Sequence, residues 1–149
     1  MPSKQVIFTD KAPAPLKGIY SQAIVANGTV YCSGSIGMDP ATGKLIDGDV
    51  KDRTHQIMKN LAAVLEAAGT NMDNVVKVNV FIADMKDFAA MNEVYTQYFG
   101  DVKPCRTYVD RPNLTTGLVA VLTDMRSCVA AKQLPLGTDV EIECVAVLP

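Results

Sequence analysis

"RSCVAAKQLPLGTDVEIECVAV" (126–147) holds two apolar, β-prone runs joined by "LPLGT", with Arg126 at its head and Glu141 and Glu143 inside the second run. Proline and glycine between two such runs predict adjacent strands over 126–133 and 139–147. In the first, Val129 and Ala131 alternate with Cys128 and Ala130, so neither face is polar. Strands of that kind are covered on both faces. Charges in such strands are costly unless they are paired or bind something. A similar arginine-bearing start occurs earlier, in "KPCRTYVDRP" (103–112), where the arginine is Arg106.

Working outward, "NVVKVNVFIAD" (74–84) alternates and then runs apolar, which predicts a buried strand. Before it, Ile57, Leu61, Val64, Leu65 and Ala68 recur at helical spacing within 49–68, and Gly69 suits the position just past a helix end. After it, Asp84 is a helix cap, with Phe88, Met91, Tyr95 and Phe99 on the inner face and Gly100 as the stop. "KQVIFT" (4–9) is a short strand. "YSQAIVANGTVYCSGSIG" (20–37) is a hairpin turned at Asn27-Gly28, a pair suited to two positive φ angles. The predicted order is β-β-β-α-β-α-β-β: an α+β domain with one mixed sheet and two helices on a single face. The other face needs a cover, and another copy of the chain is the simplest one.

A chain of 149 residues makes one domain with one core. Fourteen basic and 16 acidic residues leave a net charge of −2, a poor fit to a nucleic-acid binder that works through its global field. Hydrophobic residues reach 48%, an excess that suits a subunit interface. No run approaches the roughly 20 apolar residues of a membrane span, and the N-terminus carries neither a signal-peptide core nor an arginine-rich presequence. Cys32, Cys105, Cys128 and Cys144 form no Cys-x-x-Cys pair and are expected as free thiols. The expected compartment is the cytoplasm, with the mitochondrion as the alternative.

Six segments in order, "APAPLKGIYSQA", "NGTVYCSGSIGMDPATGKL", "HQIMKNLAAVLEAAG", "VVKVNVFIADMKDFAAMNEVY", "FGDVKPCR" and "RSCVAAKQLPLGTDVEIECVAV", resemble the YjgF/UK114 (RidA, reactive intermediate deaminase) family across almost the whole chain. The resemblance implies a chorismate-mutase-like fold and a homotrimer whose sheets pack into a central barrel. It also implies hydrolysis of reactive enamine and imine acids, such as 2-aminoacrylate and 2-iminobutanoate, to 2-keto acids and ammonia. The implied active sites lie in clefts between subunits and use no cofactor and no metal. The family's carboxylate-binding arginine opens its "RSCV" strand, here Arg126, with Cys128 its backbone neighbour. Its acidic residue corresponds to Glu141, and the aromatic of its "PYxQ" to Tyr20 of "IYSQ", where Ile19 replaces the proline. Ser33 and Gly34 match its "SG", and Asn92 matches the asparagine of its second helix.

Those residue types suit the reaction. Arginine offers a carboxylate two parallel hydrogen bonds. Glu141 can position water or exchange protons, Tyr20 and Ser33 supply hydroxyls, and Gly34 lets a backbone amide come close. Plainer roles stand beside these. Taken without the resemblance, Arg126 beside a glutamate is an interface ion pair and Tyr20 a strand aromatic. Glu143 has an interface or solvated role, Asn92 caps a loop, His55 sits on the first helix's polar side, and Cys128 lacks a nearby activating histidine.

Family members run from "KPxR" directly into "SCV", whereas here Arg126 follows Arg106 by twenty positions. The single domain over 1–149 therefore carries an insertion at about 107–125. Arg126 is favoured as the anion-binding residue because it is in register with Cys128, and Arg106 is its alternative. Two rival functions remain: an endoribonuclease or translation inhibitor, and a catalytically silent metabolite-binding trimer whose cleft the insertion alters.

Overall fold

A computed structural model describes residues 3–107, 128–130 and 133–149. The expected insertion and Arg126 lie outside the described residues. One sheet runs in the order β1 (Gln5–Ile7), β2 (Ala23–Ala26), β3 (Thr29–Cys32), β10 (Val140–Val147), β7 (Val75–Ile82) and β8 (Cys105–Thr107). β4 (Ser35–Ile36) continues the β3 side of β10, and β9 (Cys128–Ala130) continues the β8 side of β7. β5 (Met38–Asp39) and β6 (Lys44–Leu45) form a separate small hairpin. All pairings are antiparallel except those of β8 and β9 with β7. The mixed sheet and its two helices agree with the expected fold class. The small hairpin and the division of the penultimate strand are additions to it.

The β2–β3 hairpin turns at Asn27 (φ 51°) and Gly28 (φ 73°), the two left-handed positions that pair was expected to supply. Helix α1 (Val50–Ala67) starts in a capping box: the Asp49 carboxylate accepts from the Lys51 and Asp52 amides, while the Asp52 carboxylate accepts from the Asp49 amide. Its buried stripe contains Ile57, Met58, Leu61, Val64 and Leu65. At its end Gly69 (φ 86°) lets the Gly69 and Thr70 amides turn back onto the carbonyls of Glu66 and Leu65. The second helix begins later than its sequence suggested. Asp84 caps a 3-10 turn over Met85–Asp87, and α2 itself is Phe88–Tyr95. The short Asx cap holds the tighter turn, and the apolar run beginning at Phe88 then continues as α-helix.

Both helices pack on one face. Val140, Ile142, Cys144 and Ala146 of β10 and Val78, Val80 and Ile82 of β7 are buried there. The alternate residues, Glu141, Glu143, Val145 and Val147 on β10 and Lys77, Asn79 and Phe81 on β7, point to the face without helices. That open face exposes Val6 and Tyr31, at 63% and 52%.

The register of β8 and β9 answers the question of the doubled strand start. Lys77, Val78 and Asn79 pair with Cys105, Arg106 and Thr107; Val80, Phe81 and Ile82 then pair with Cys128, Val129 and Ala130. No position of β7 is skipped, so Thr107 and Cys128 occupy successive places on one edge although residues 108–127 separate them in sequence.

Candidate functional site

Glu141 lies on the open face of β10, between Ile36 of β4 and Phe81 of β7. Its carboxylate rests on Gly34, where a Cβ would collide with Oε1. A side chain at position 34 would push the Glu141 carboxylate from its place, which gives Gly34 a steric role besides backbone approach. Burial pushes the Glu141 carboxyl above the ordinary carboxylate range, and the Glu143 carboxylate adds to the shift. Among the described residues no cation lies within ion-pair distance of Glu141.

Tyr20, Ser33, Gly34 and Glu141 line one cavity of about 680 Å³, shared with Ile36 and Leu136. Tyr20 precedes β2 rather than lying in a strand, and is 47% exposed. The plainer role as a strand aromatic therefore does not hold. The Ser33 hydroxyl donates to the Ser21 carbonyl at 2.7 Å, which leaves its oxygen lone pairs to face a ligand.

Arg106 occupies a different place. It is paired with buried Val78, so it faces the helices, and it is 7% exposed. Its Nη1 donates to Asn92 Oδ1 of α2 at 2.6 Å, and its guanidinium carbon lies 4.7 Å from the centre of the Tyr95 ring and 5.6 Å from that of Phe88. Aromatic faces attract a guanidinium and restrict its rotation. Asn92 thus holds an arginine rather than capping a loop. Arg106 and Glu141 stand on opposite faces of the sheet, and Arg106 is not among the residues lining the cavity. Cys128 is placed by its backbone only, opposite Val80 and two ladder positions beyond Arg106.

Glu143, expected in an interface or solvated role, is partly exposed on the open face and accepts a hydrogen bond from Asn79 Nδ2 at 2.7 Å. His55 is half-buried, with its Nδ1 2.8 Å from the Tyr98 hydroxyl, instead of standing free on the polar side of α1.

Three supporting residues went unremarked in the sequence. Gln22 is buried; its amide donates to the carbonyls of Thr9, Ala12 and Pro13 and accepts from the Thr9 amide at 2.7 Å. It ties down the proline-rich loop that forms one cavity wall, and a glutamine entering an apolar strand was the available sign. Arg53 Nη1 meets Asp139 Oδ2 at 2.6 Å, joining α1 to the start of β10 two residues before Glu141. Leu136 adopts a left-handed backbone (φ 54°) while lining the cavity. Such strain in a non-glycine residue costs free energy and recurs at functional sites.

Among the described residues, no set of three His, Cys, Asp or Glu side chains gathers to hold a metal, and no helix is long and apolar enough to cross a membrane.

The family model described as Endoribonuclease L-PSP matches residues 9–148. The chain is 42% identical over 144 residues to a rat protein named 2-iminobutanoate/2-iminopropanoate deaminase, covering 97% of this chain and 90% of that one. It is 46% identical over 132 residues to "Protein mmf1, mitochondrial" of Schizosaccharomyces pombe, covering 87% of this chain and 68% of that one. The fold matches a crystal structure of a putative endoribonuclease L-PSP from Entamoeba histolytica with a TM-score of 0.80 and 40% identity, covering 98% of this chain and 100% of the other.

Proposed function

The chain belongs to the endoribonuclease L-PSP family, the YjgF/RidA group whose motifs it carries, and on that premise we propose that it hydrolyses 2-imino acids such as 2-iminobutanoate to 2-keto acids and ammonia. Enamines such as 2-aminoacrylate enter as their imine tautomers. The observation that carries this reading is the Glu141 carboxylate, partly desolvated, packed on Gly34 and facing a cavity with Tyr20 and Ser33.

The anion-binding arginine in this proposal is Arg106. It stands two ladder positions before Cys128, the spacing of the family's "RSCV", and its guanidinium is oriented by Asn92 and two aromatic rings. Arg126 is the alternative and lies outside the described residues. Because Arg106 and Glu141 occupy opposite faces, one small substrate reaches both only if they come from different copies of the chain. The exposed apolar residues of the open face support the homotrimer that such shared sites require.

The chemistry balances without a cofactor. Arg106 grips the substrate carboxylate. The Glu141 carboxylate takes a proton from water as the water oxygen bonds to the carbon of the protonated imine, giving a neutral carbinolamine. The Glu141 acid then protonates the amine nitrogen, the carboxylate removes the hydroxyl proton as the C–N bond breaks to leave a C=O group, and that proton passes to the departing ammonia, which restores the carboxylate. The raised proton affinity of Glu141 suits a group that both takes and returns a proton, a contribution commonly about 10²–10⁴-fold. A ribonuclease reading is the weaker one, since a chain of net charge −2 offers little attraction to a phosphate backbone.

The test couples a threonine dehydratase to the protein and follows imine decay. Acceleration over the uncatalysed rate is expected, lost in Arg106→Ala and kept in Arg126→Ala. The reverse pattern would return the anion site to Arg126, and no acceleration by the unsubstituted protein would reject the deaminase reading.

A further inference from the structure

Cys32 and Cys144 face each other across β3 and β10. Those strands pair Val30 with Ala146 and Tyr31 with Val145, where the ladder ends; continued by one step, the same register would set Cys32 against Cys144. Both side chains point to the helix-covered face, 8% and 3% exposed. Directly opposed residues in such a pair have Cα atoms about 4.5–5.5 Å apart, within the roughly 4.4–6.8 Å that a disulfide spans.

We propose that Cys32 and Cys144 are a redox modification site, closing to a cross-strand disulfide under a peroxide and reopening with a dithiol reductant. The thiols already interact: Cys144 is hydrogen-bonded to Cys32, and that bond, with burial, pushes the Cys144 thiol far up. Cys144 is therefore the donor in that bond and Cys32 the acceptor, and Cys32 is assigned as the attacking sulfur.

In the first step the Cys32 sulfur attacks a peroxide oxygen; the O–O bond breaks, the displaced hydroxide leaves with the thiol proton as water, and a sulfenic acid forms. In the second, the Cys144 sulfur attacks that sulfenic sulfur, the S–S bond forms, and water departs with the thiol proton. Two thiols and one hydrogen peroxide give one disulfide and two waters. A pair of this kind suits a reducing compartment, where protein disulfides are transient and redox-sensing.

The bond would also reach the candidate site. Ile142 pairs with Ser35 and Val145 with Tyr31, so Cys32, Ser33 and Gly34 are accommodated opposite only Glu143 and Cys144. This is a β-bulge, and its extra residue sets the direction of Ser33 and Gly34. A disulfide at its base would fix that direction.

The test treats the purified, reduced protein with hydrogen peroxide, counts thiols after denaturation and maps linked peptides by mass spectrometry. Expected are the loss of two thiols, a Cys32-peptide–Cys144-peptide species two hydrogens lighter than the separate peptides, and full recovery with dithiothreitol. Cys105→Ser, which removes the exposed thiol, should give the same species, and Cys144→Ser should give none. Oxidation confined to Cys105 or Cys128, or a Cys32 that oxidises irreversibly without linking to Cys144, would overturn the proposal. The readout is independent of imine hydrolysis, so an inactive protein would leave it standing.

Discussion

The two faces of β10 come from the same eight residues yet reach different states within one chain. Val140, Ile142, Cys144 and Ala146 are sealed under the helices, each no more than 3% exposed, whereas Glu141, Glu143, Val145 and Val147 remain partly open. The site proposed for imine hydrolysis would divide along the same plane. Arg106, with Asn92 and Tyr95, is oriented on the helix face by contacts inside the chain. Glu141, against Gly34, lies on the open face. On that proposal one fold orients each half of the site and assembly joins them.

The largest effect should come from spoiling the open face alone. Tyr31, half-exposed on β3, lies among the apolar residues that the proposed assembly would cover. Tyr31→Glu places a charge there, and an unpaired buried charge is costly. Sedimentation should drop to that of the 16.0 kDa chain, with imine hydrolysis falling by about 10²-fold or more as reacting groups lose their alignment. The circular dichroism of the helices should be kept. A variant that stays assembled, or works as a monomer, would break the division drawn between the faces.

On the sealed face the same kind of change should strike stability. Ile142 is fully buried in the core between β7 and α1. Ile142→Ala removes that packing and leaves a cavity, a loss of about 2–5 kcal/mol in unfolding free energy. Urea titration should show a lower midpoint with an unchanged slope. A loss below about 1 kcal/mol, the size typical of an ordinary substitution, would mean the helix face is less tightly packed than its burial indicates.

Much of this division was legible in the sequence because it rests on local rules. The period of α1, the Asn27-Gly28 turn, the end of α1 at Gly69 and the glutamates alternating with apolar residues in 139–147 each follow from spacing or backbone sterics. Tyr20, Ser33, Gly34 and Glu141 could be picked out by motif, and the fold gathers them at one cavity. The clamps were less visible. Gln22 acts on a loop 9–13 residues away and Arg53 on Asp139, 86 residues away, and neither spacing leaves a periodic trace. The place of Arg106 was hidden for a related reason: sequence adjacency favoured Arg126 beside Cys128, whereas ladder register follows β7 and makes Arg106 and Thr107 the residues that lead up to Cys128.

The smallest effect sharpens the comparison on the open face. Burial is the first cause of the raised Glu141 carboxyl, and the charge of Glu143 is the second. Glu143→Gln removes the second cause alone, and its amide oxygen can still accept from Asn79, which Glu143 now does at 2.7 Å. If the Glu141 carboxylate is the base, the rate rises with pH through its elevated pKa, and in Glu143→Gln this acid limb should move to lower pH. The stability sign follows from the same shift. Between the ordinary carboxylate pKa and the raised one, the folded chain holds more protons at Glu141 than the unfolded chain does, so stability falls as pH climbs through that window. Above the window the cost of the buried charge is felt in full. Glu143→Gln should narrow the window from its upper end, making the urea midpoint less sensitive to pH there. An acid limb that stays put, or moves to higher pH, would show that Glu143 does not act on Glu141 through its charge and that burial alone tunes the open half of the site.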